Sequence, residues 1–364
     1  MTAIPLLDLG AQHAPLMEAL EAASRRVIRS GQYILGPEVE AFEAEVAEVV
    51  GSPHAIGVSS GSDALLLALM ALDVGPGDEV ITTAFSFFAT AGCIARLGAR
   101  PVFVDIRPDG FDLDPEAVAR AITPRTKAIL PVHLFGQTAD LKALRHVAGD
   151  LPIVEDAAQA LGAACCEGHA GAVGAFGCFS FFPTKPLGGV GDGGLVVTGD
   201  AELAARARLL RAHGAKPKYT HHLVGGNFRL DALQAALLRV KLPHLEAWMR
   251  GRQENAAAYD EGLAGSPVMT PPRLHEAHAY HQYVIRAPRR DALRAALAEA
   301  GIGTGIYYPS PLPSQPCFAE LGHAPGDFPE AERACREVLA LPIFPELGAA
   351  RRKRVTDAIL TFYA

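Results

Sequence analysis

Short apolar runs alternate with helical patterns along the first part of this chain, and that alternation limits the fold more than any other feature. AIGVSS (55–60), EVITTAF (79–85), PVFVDI (101–106), KAILPVHL (127–134), PIVEDA (152–157) and LVVT (195–198) read as strands. SDALLLALMALDVG, TAGCIARLG, DPEAVARAI, ADLKALRHVAG and DAELAARARLLRAHG read as the helices that follow them. Strands apolar on every residue are buried on both sides. The pattern therefore predicts an α/β fold, a mainly parallel sheet with helices on both faces. Ligands of such sheets lie beyond the carboxyl ends of the strands.

Ahead of the sheet, PLMEALEAASRRVIRS and PEVEAFEAEVAEVV predict two helices parted at Gly31, the second with Val39, Phe42, Val46 and Val49 at helical spacing. After Gly214 the alternation stops. A long helical pattern over 230–265 should break at Pro243. Strand YHQYVIRA (280–287), helix RDALRAALAEAG, the loop IYYPSPLPSQP, helix PEAERACREVLAL and a last helix then predict a smaller α+β domain. The boundary is placed at residue 240, giving a large domain over 1–240 with its N-terminal helical segment and a small one over 241–364. With 364 residues, 49% of them hydrophobic, the chain can fill two cores.

A net charge of −7 and a single short basic run, RRKR at 351–354, argue against a nucleic-acid partner. The six cysteines show no C-x-x-C spacing and read as reduced thiols, and no metal site is expected. The amino terminus lacks a secretory pattern, and no apolar stretch reaches the ~18 residues of a membrane span. A soluble, cytoplasmic protein is expected.

One lysine, Lys185, lies between Phe179, Phe181 and Phe182 and a run of glycines, Gly188 to Gly194. Apolar neighbours disfavour the ammonium and glycines let backbone approach a flat ligand, so the setting suits a Schiff-base lysine as well as a surface turn. Gly189, Gly191 and Gly194 have the spacing of a dinucleotide site, but a strand follows them where that site needs a helix. Asp156 ends an apolar strand, where a carboxylate can keep a pyridine nitrogen protonated or simply cap the next turn. Gln159 can reach a ring oxygen from there. Ser59 to Asp63 open a helix, a start that suits a phosphate or plain capping by Ser60 or Ser62. Phe87 can stack on a planar ring or join the core, and His133 is equally open.

SGSDAL (60–65), VEDAAQALGA (154–163), SFFPTKPLGGVGDGG (180–194), GGNFRLDALQAALL (225–238), YHQYVIR (280–286) and GIGTGIYYPSPL (301–312) closely resemble the DegT/StrS sugar aminotransferases, in order and over nearly the whole chain. The resemblance implies the PLP-dependent transferase fold type I and a homodimer with a shared active site. It implies that Lys185 forms the Schiff base with pyridoxal 5′-phosphate, that Asp156 pairs with the pyridine nitrogen, and that Gln159 lies by the ring hydroxyl. Gly61, Ser62 and Ser180 would hold the phosphate, helped by Asn227 of the neighbouring subunit, with Phe87 stacked on the ring. Glutamate would be the amino donor and a nucleotide-linked ketosugar the acceptor. Arg229, Tyr307 and Tyr308 fall on the sugar side. Pro186, where many members have Asn, and Leu161 depart from the usual pattern. Pro186 tilts the reading toward a 3-keto uronic acid. The alternatives are a 4-keto acceptor and a non-catalytic sugar-nucleotide-binding regulator.

Overall fold

The structure is a computed structural model that describes residues 3–275 and 277–364. Its strands are β1 (His54–Val58), β2 (Glu79–Thr83), β3 (Arg100–Val104), β4 (Thr126–Leu130) and β5 (Val154–Asp156), then a small hairpin, β6 (Ala164–Cys165) and β7 (Gly168–His169), then β8 (Phe176–Ser180) and β9 (Gly194–Thr198). β2 pairs in parallel with β3 and β4, and β5 with β8. Parallel bridges Ile129–Ile153 and Val132–Asp156 join the two groups, giving the order β3-β2-β4-β5-β8-β9-β1. β9 runs antiparallel to both neighbours. The alternation pattern did not separate it from the other strands. The segment joining it to β8, 181–193, is a loop rather than a crossover helix, so the chain turns straight back.

Alternate residues of each strand enter opposite cores, as the period-two pleat requires. Ile56, Val58, Phe176, Cys178 and Val196 face the helix Gly61–Ala71 and the helix Ala201–Arg211. Ala55, Phe179, Leu195 and Val197 face the helices Met17–Ser30, Pro37–Val50 and Ala232–Lys241. Both faces are thus covered. In Pro37–Val50 the buried stripe is Val39, Phe42, Val46 and Val50, while Val49 is 36% exposed. A step of four from Val46, not three, keeps the stripe turned inward. Helix starts are fixed by side-chain caps from Ser60, Asp114, Asp140, Asp200 and Asp231.

Pro243 breaks the long helical pattern as expected, at a 3-10 turn Leu242–His244 before the helix Leu245–Gly262. Beyond it, β10 (Tyr283–Arg286) pairs antiparallel with β11 (Val338–Leu341). The VLAL of β11 was read as the end of a helix, but the helix Pro329–Glu337 stops before it. The reason is burial on two sides. Tyr283, Ile285, Leu339 and Leu341 enter a C-terminal core with Tyr259, Leu293 and Ile359, whereas Val284, Val338 and Ala340 pack against the large core. Only an extended ribbon divides its side chains that way. Among the described residues no helix is long and apolar enough to cross a membrane.

Glu155 is fully buried and binds the sheet to its surroundings. Its Oε1 accepts the amides of Val173 (2.9 Å) and Gly174 (2.5 Å), and its Oε2 accepts the Gly171 amide at 2.7 Å. His133 Nδ1 accepts the Ala139 N–H at 3.0 Å, so the ring proton sits on Nε2 and is donated to Glu155 Oε2 at 2.7 Å. His133 is therefore a neutral structural residue and does not serve the ligand side. Glu155→Gln would turn an amide NH2 toward these donors and leave at least one unpaired. A loss of about 3 kcal/mol is expected at ~1–3 kcal/mol per unsatisfied buried group, read as a lowered urea midpoint. Glu116→Gln, on an 87% exposed side chain, should leave the midpoint unchanged.

Candidate active site

The loop 181–193 leaves the carboxyl end of β8 and carries Lys185. Gly188 is required there, since a Cβ would lie 2.0 Å from the Pro183 carbonyl oxygen. The helix Ala232–Lys241 holds the loop from behind. Gln234 accepts the Val190 N–H at 3.0 Å and donates to the Val190 carbonyl at 3.1 Å. Lys241, buried, donates to the Gly188 carbonyl, lies 2.9 Å from His13 Nε2 and stands 5.8 Å over the Trp248 ring. Burial pushes the Lys185 ammonium down to about 8, against the opposing pull of the Asp156 carboxylate.

Asp156 ends β5 and is 5% exposed. Its Oδ2 accepts from Thr90 Oγ1 at 2.8 Å and its Oδ1 from the Ala158 N–H at 3.2 Å; Ser86 Oγ lies 2.9 Å behind Thr90. Burial raises its pKa, and the bonds from Thr90 and Ala158 and the charge of Lys185 oppose that rise. The carboxylate keeps acceptor capacity that these two donors do not fill. A cationic N–H from a ligand would fill it.

At the end of β1, Ser60 Oγ accepts the Asp63 N–H at 3.0 Å. The amides of Gly61 and Ser62 in the first turn then have no intrahelical partner. Ser180 stands against this start, and a Cβ on Gly61 would meet the Ser180 Cβ at 2.6 Å. Two free amides and the helix dipole, beside the Ser180 hydroxyl that accepts the Phe182 N–H at 3.3 Å and can still donate, make a place for an anion.

Gln159 Oε1 accepts the Phe135 N–H at 2.6 Å, and its Nε2 donates to Tyr308 Oη at 3.3 Å. Tyr308 is 6.4 Å from the Phe87 ring, which is 57% exposed, and 6.0 Å from the Tyr307 ring. Burial raises the Tyr308 phenol, so it stays a neutral donor and acceptor. Arg229 pairs by backbone with Val58, and the Ser59 N–H donates to the Phe228 carbonyl at 2.9 Å. This segment therefore borders the anion place. The Arg229 Nε is buried without a partner among the described residues. Asn227 is exposed and pairs by backbone with Ala212.

Sequence reasoning missed Thr90 and Ser86, which support Asp156, and Gln234 and Lys241, which support the lysine loop. It also missed His281, which is 7% exposed and is held below its ordinary pKa by burial and by the charges of Lys185 and Arg252. Thr90 and Ser86 are spaced i, i+4, the only local signal among these.

A family model described as the DegT/DnrJ/EryC1/StrS aminotransferase family matches residues 16–360. The chain is 50% identical over 366 residues to the pleiotropic regulatory protein of Geobacillus stearothermophilus, covering 99% of this chain and 98% of that one. It is 48% identical over 362 residues to the dTDP-3-amino-3,4,6-trideoxy-alpha-D-glucose transaminase of Streptomyces venezuelae, covering 98% and 95%. Among solved structures, S. venezuelae DesV in complex with a ketimine intermediate matches at TM-score 0.97 and 46% identity, over 100% of this chain and 99% of that one. NtdA of Bacillus subtilis with bound cofactor PMP matches at 0.93 and 30%, over 99% and 85%. The architecture is fold type I, and the chain belongs to the DegT/DnrJ/EryC1/StrS aminotransferase family.

Proposed function

We propose that the chain is a cytoplasmic, pyridoxal 5′-phosphate-dependent transaminase that moves an amino group from glutamate to the 3-keto group of a UDP- or dTDP-linked sugar. The observation that carries this is that Lys185, its ammonium pushed down to about 8 by burial, lies close enough to the buried Asp156 carboxylate for each to feel the other's charge. When bound, the cofactor supplies an electron sink for the carbon that loses its proton. The residues fit it. Asp156 would accept the ring N–H and keep that nitrogen protonated. Ser62 and Ser180, with the free amides of Gly61 and Ser62, would hold the phosphate. The second N–H of Gln159 Nε2 is left for the ring oxygen, and Phe87 offers its exposed face to the ring. The Lys185 amine would take and return the substrate proton as base and acid.

Asn227 acts in the partner's site of a two-fold dimer. Its amide has no partner among the described residues, and Arg229 beside it carries the unpartnered Nε. Position 3 is supported by the S. venezuelae relative, named for a 3-amino sugar. A carboxylate on the sugar is supported by Arg229, whose guanidinium can pair bidentately. We place the boundary between a domain over 1–240 and one over 241–364 at the turn at Pro243, on the support of Ala256 and Tyr259, which share a core with β10 and β11, although Leu245 and Trp248 of the same helix pack in the larger core. The second reading, a regulator without turnover, is favoured by the name of the 50% identical relative.

Protein loaded with the cofactor should show a visible absorption band that glutamate discharges, and Lys185→Ala should lose band and turnover together. An unchanged band at saturating glutamate would favour the regulator. Because the Lys185 ammonium is depressed, the reactive neutral amine predominates above about pH 8. Capture of pyridoxal phosphate by the cofactor-free protein should therefore accelerate roughly tenfold between pH 7 and 9 and then level off.

Lys185→Ala and Asn227→Asp chains, each inactive alone, should regain up to about a quarter of wild-type activity when mixed, since half of randomly paired dimers are mixed and each has one intact site. No recovery after verified subunit exchange would count against sharing. Amine-loaded enzyme should return its band fastest with a 3-keto uronic acid, and Arg229→Lys should slow that acceptor about tenfold or more while sparing a neutral 3-keto sugar. Preference for neutral 4-keto sugars would refute the assigned acceptor.

A further inference from the structure

A cavity of about 70 Å³ lies beside the reactive loop, with Thr184, His281, Gln282 and Tyr307 among its lining residues. That is several times the ~10–15 Å³ that one water needs. Two of its polar side chains are unsatisfied: His281 Nδ1 and Gln282 Oε1 are buried with no hydrogen-bond partner among the described residues. The His281 side chain is more than nine-tenths out of solvent at 7% exposure, so its vacant nitrogen has nowhere to turn but the cavity.

Two cations lie near His281, each only partly offset by a carboxylate, Arg252 by Glu346 and Lys185 by Asp156. Arg252, 2% exposed, sends Nη1 to the carbonyls of Tyr280 (3.2 Å), His281 (3.4 Å) and Ile343 (2.8 Å), and forms no ion pair among the described residues. Lys185 is near enough for its charge to act on His281. These two cations, with burial, hold the His281 imidazole well below its ordinary pKa. A small anion entering here would relieve both the field and the vacant nitrogen.

We propose that this cavity receives a carboxylate of the amino-group donor, bound by His281 and the Thr184 hydroxyl. The proposal rests on the transaminase reading above. Thr184 directly precedes Lys185, so a carboxylate held there keeps the donor's amine within one side chain of the reactive loop. The apolar part of the wall, Leu6, Leu7, Leu341 and Ile343, suits the methylenes of a donor side chain. A carboxylate on the acceptor is the other source of the same chemistry, and the experiment separates the two.

Cofactor-loaded wild type, His281→Leu and Thr184→Val are compared in two half-reactions and one binding measurement. The expected result is a rise of about tenfold or more in the glutamate concentration that half-discharges the band, with less than a threefold change in band recovery by ketosugars in the amine-loaded enzyme. Glutarate, which has the carboxylates and no amine, should bind wild type by calorimetry and bind both variants at least about tenfold more weakly. Equal losses in both half-reactions, or unchanged glutarate binding, would overturn the proposal. A loss confined to carboxylated ketosugars would overturn it in favour of the acceptor's carboxylate. Should wild type fail to respond to glutamate, the transaminase reading falls, while the glutarate titration still decides the cavity. Thr184→Val retains His281 and its packing, so misfolding of His281→Leu leaves the test standing.

Discussion

Two adjacent carboxylates at the end of β5 do opposite jobs, and the rest of the molecule depends on their being separated by the pleat. Consecutive strand residues point to opposite faces. Glu155 turns toward the loop 171–174, where three amides and His133 saturate it. Asp156 turns toward Lys185 with fewer donors than it can accept. The first charge is consumed by the architecture. The second is left for a ligand.

The reactivity of Lys185 follows from a contest between two terms. Burial favours the neutral amine, and Asp156 favours the ammonium. With burial the larger, the amine is available near neutral pH without being fully stripped of its proton. Asp156 is subject to the reverse contest, raised by burial and held down by Thr90, the Ala158 amide and Lys185. Neither group would be tuned this way on an exposed loop, where solvent screens both effects.

Much of this was legible in the sequence because it is local. Continuous apolar runs announced the sheet, and the placing of Asp156, Gln159 and Ser62 at strand ends announced the site. The direction of β9 was not legible, because it depends on how 181–193 is folded and not on the strand's own residues. Nor was β11, whose four apolar residues suit a helix end until their pairing with β10 divides them between two cores. Thr90 reaches Asp156 across 66 residues and Lys241 reaches Gly188 across 53, so no spacing rule could have joined them. His281 sits between Tyr280 and Tyr283 at the start of an apolar strand and is revealed only by the vacancy beside it.

The grip of Gln234 and Lys241 on the lysine loop has a consequence for how such a scaffold diversifies. Gly188 and Val190 are held by a helix packed in the core as well as by the loop's own turns, with the Lys185 N–H donating to the Phe182 carbonyl and the Gly189 N–H to the Phe181 carbonyl. Neighbouring positions such as Pro186 are thereby released from the duty of placing the amine. A substitution there changes the surroundings of the acceptor while the reactive group stays where it was, so freedom on the sugar side and constancy in the chemistry come from the same clamp.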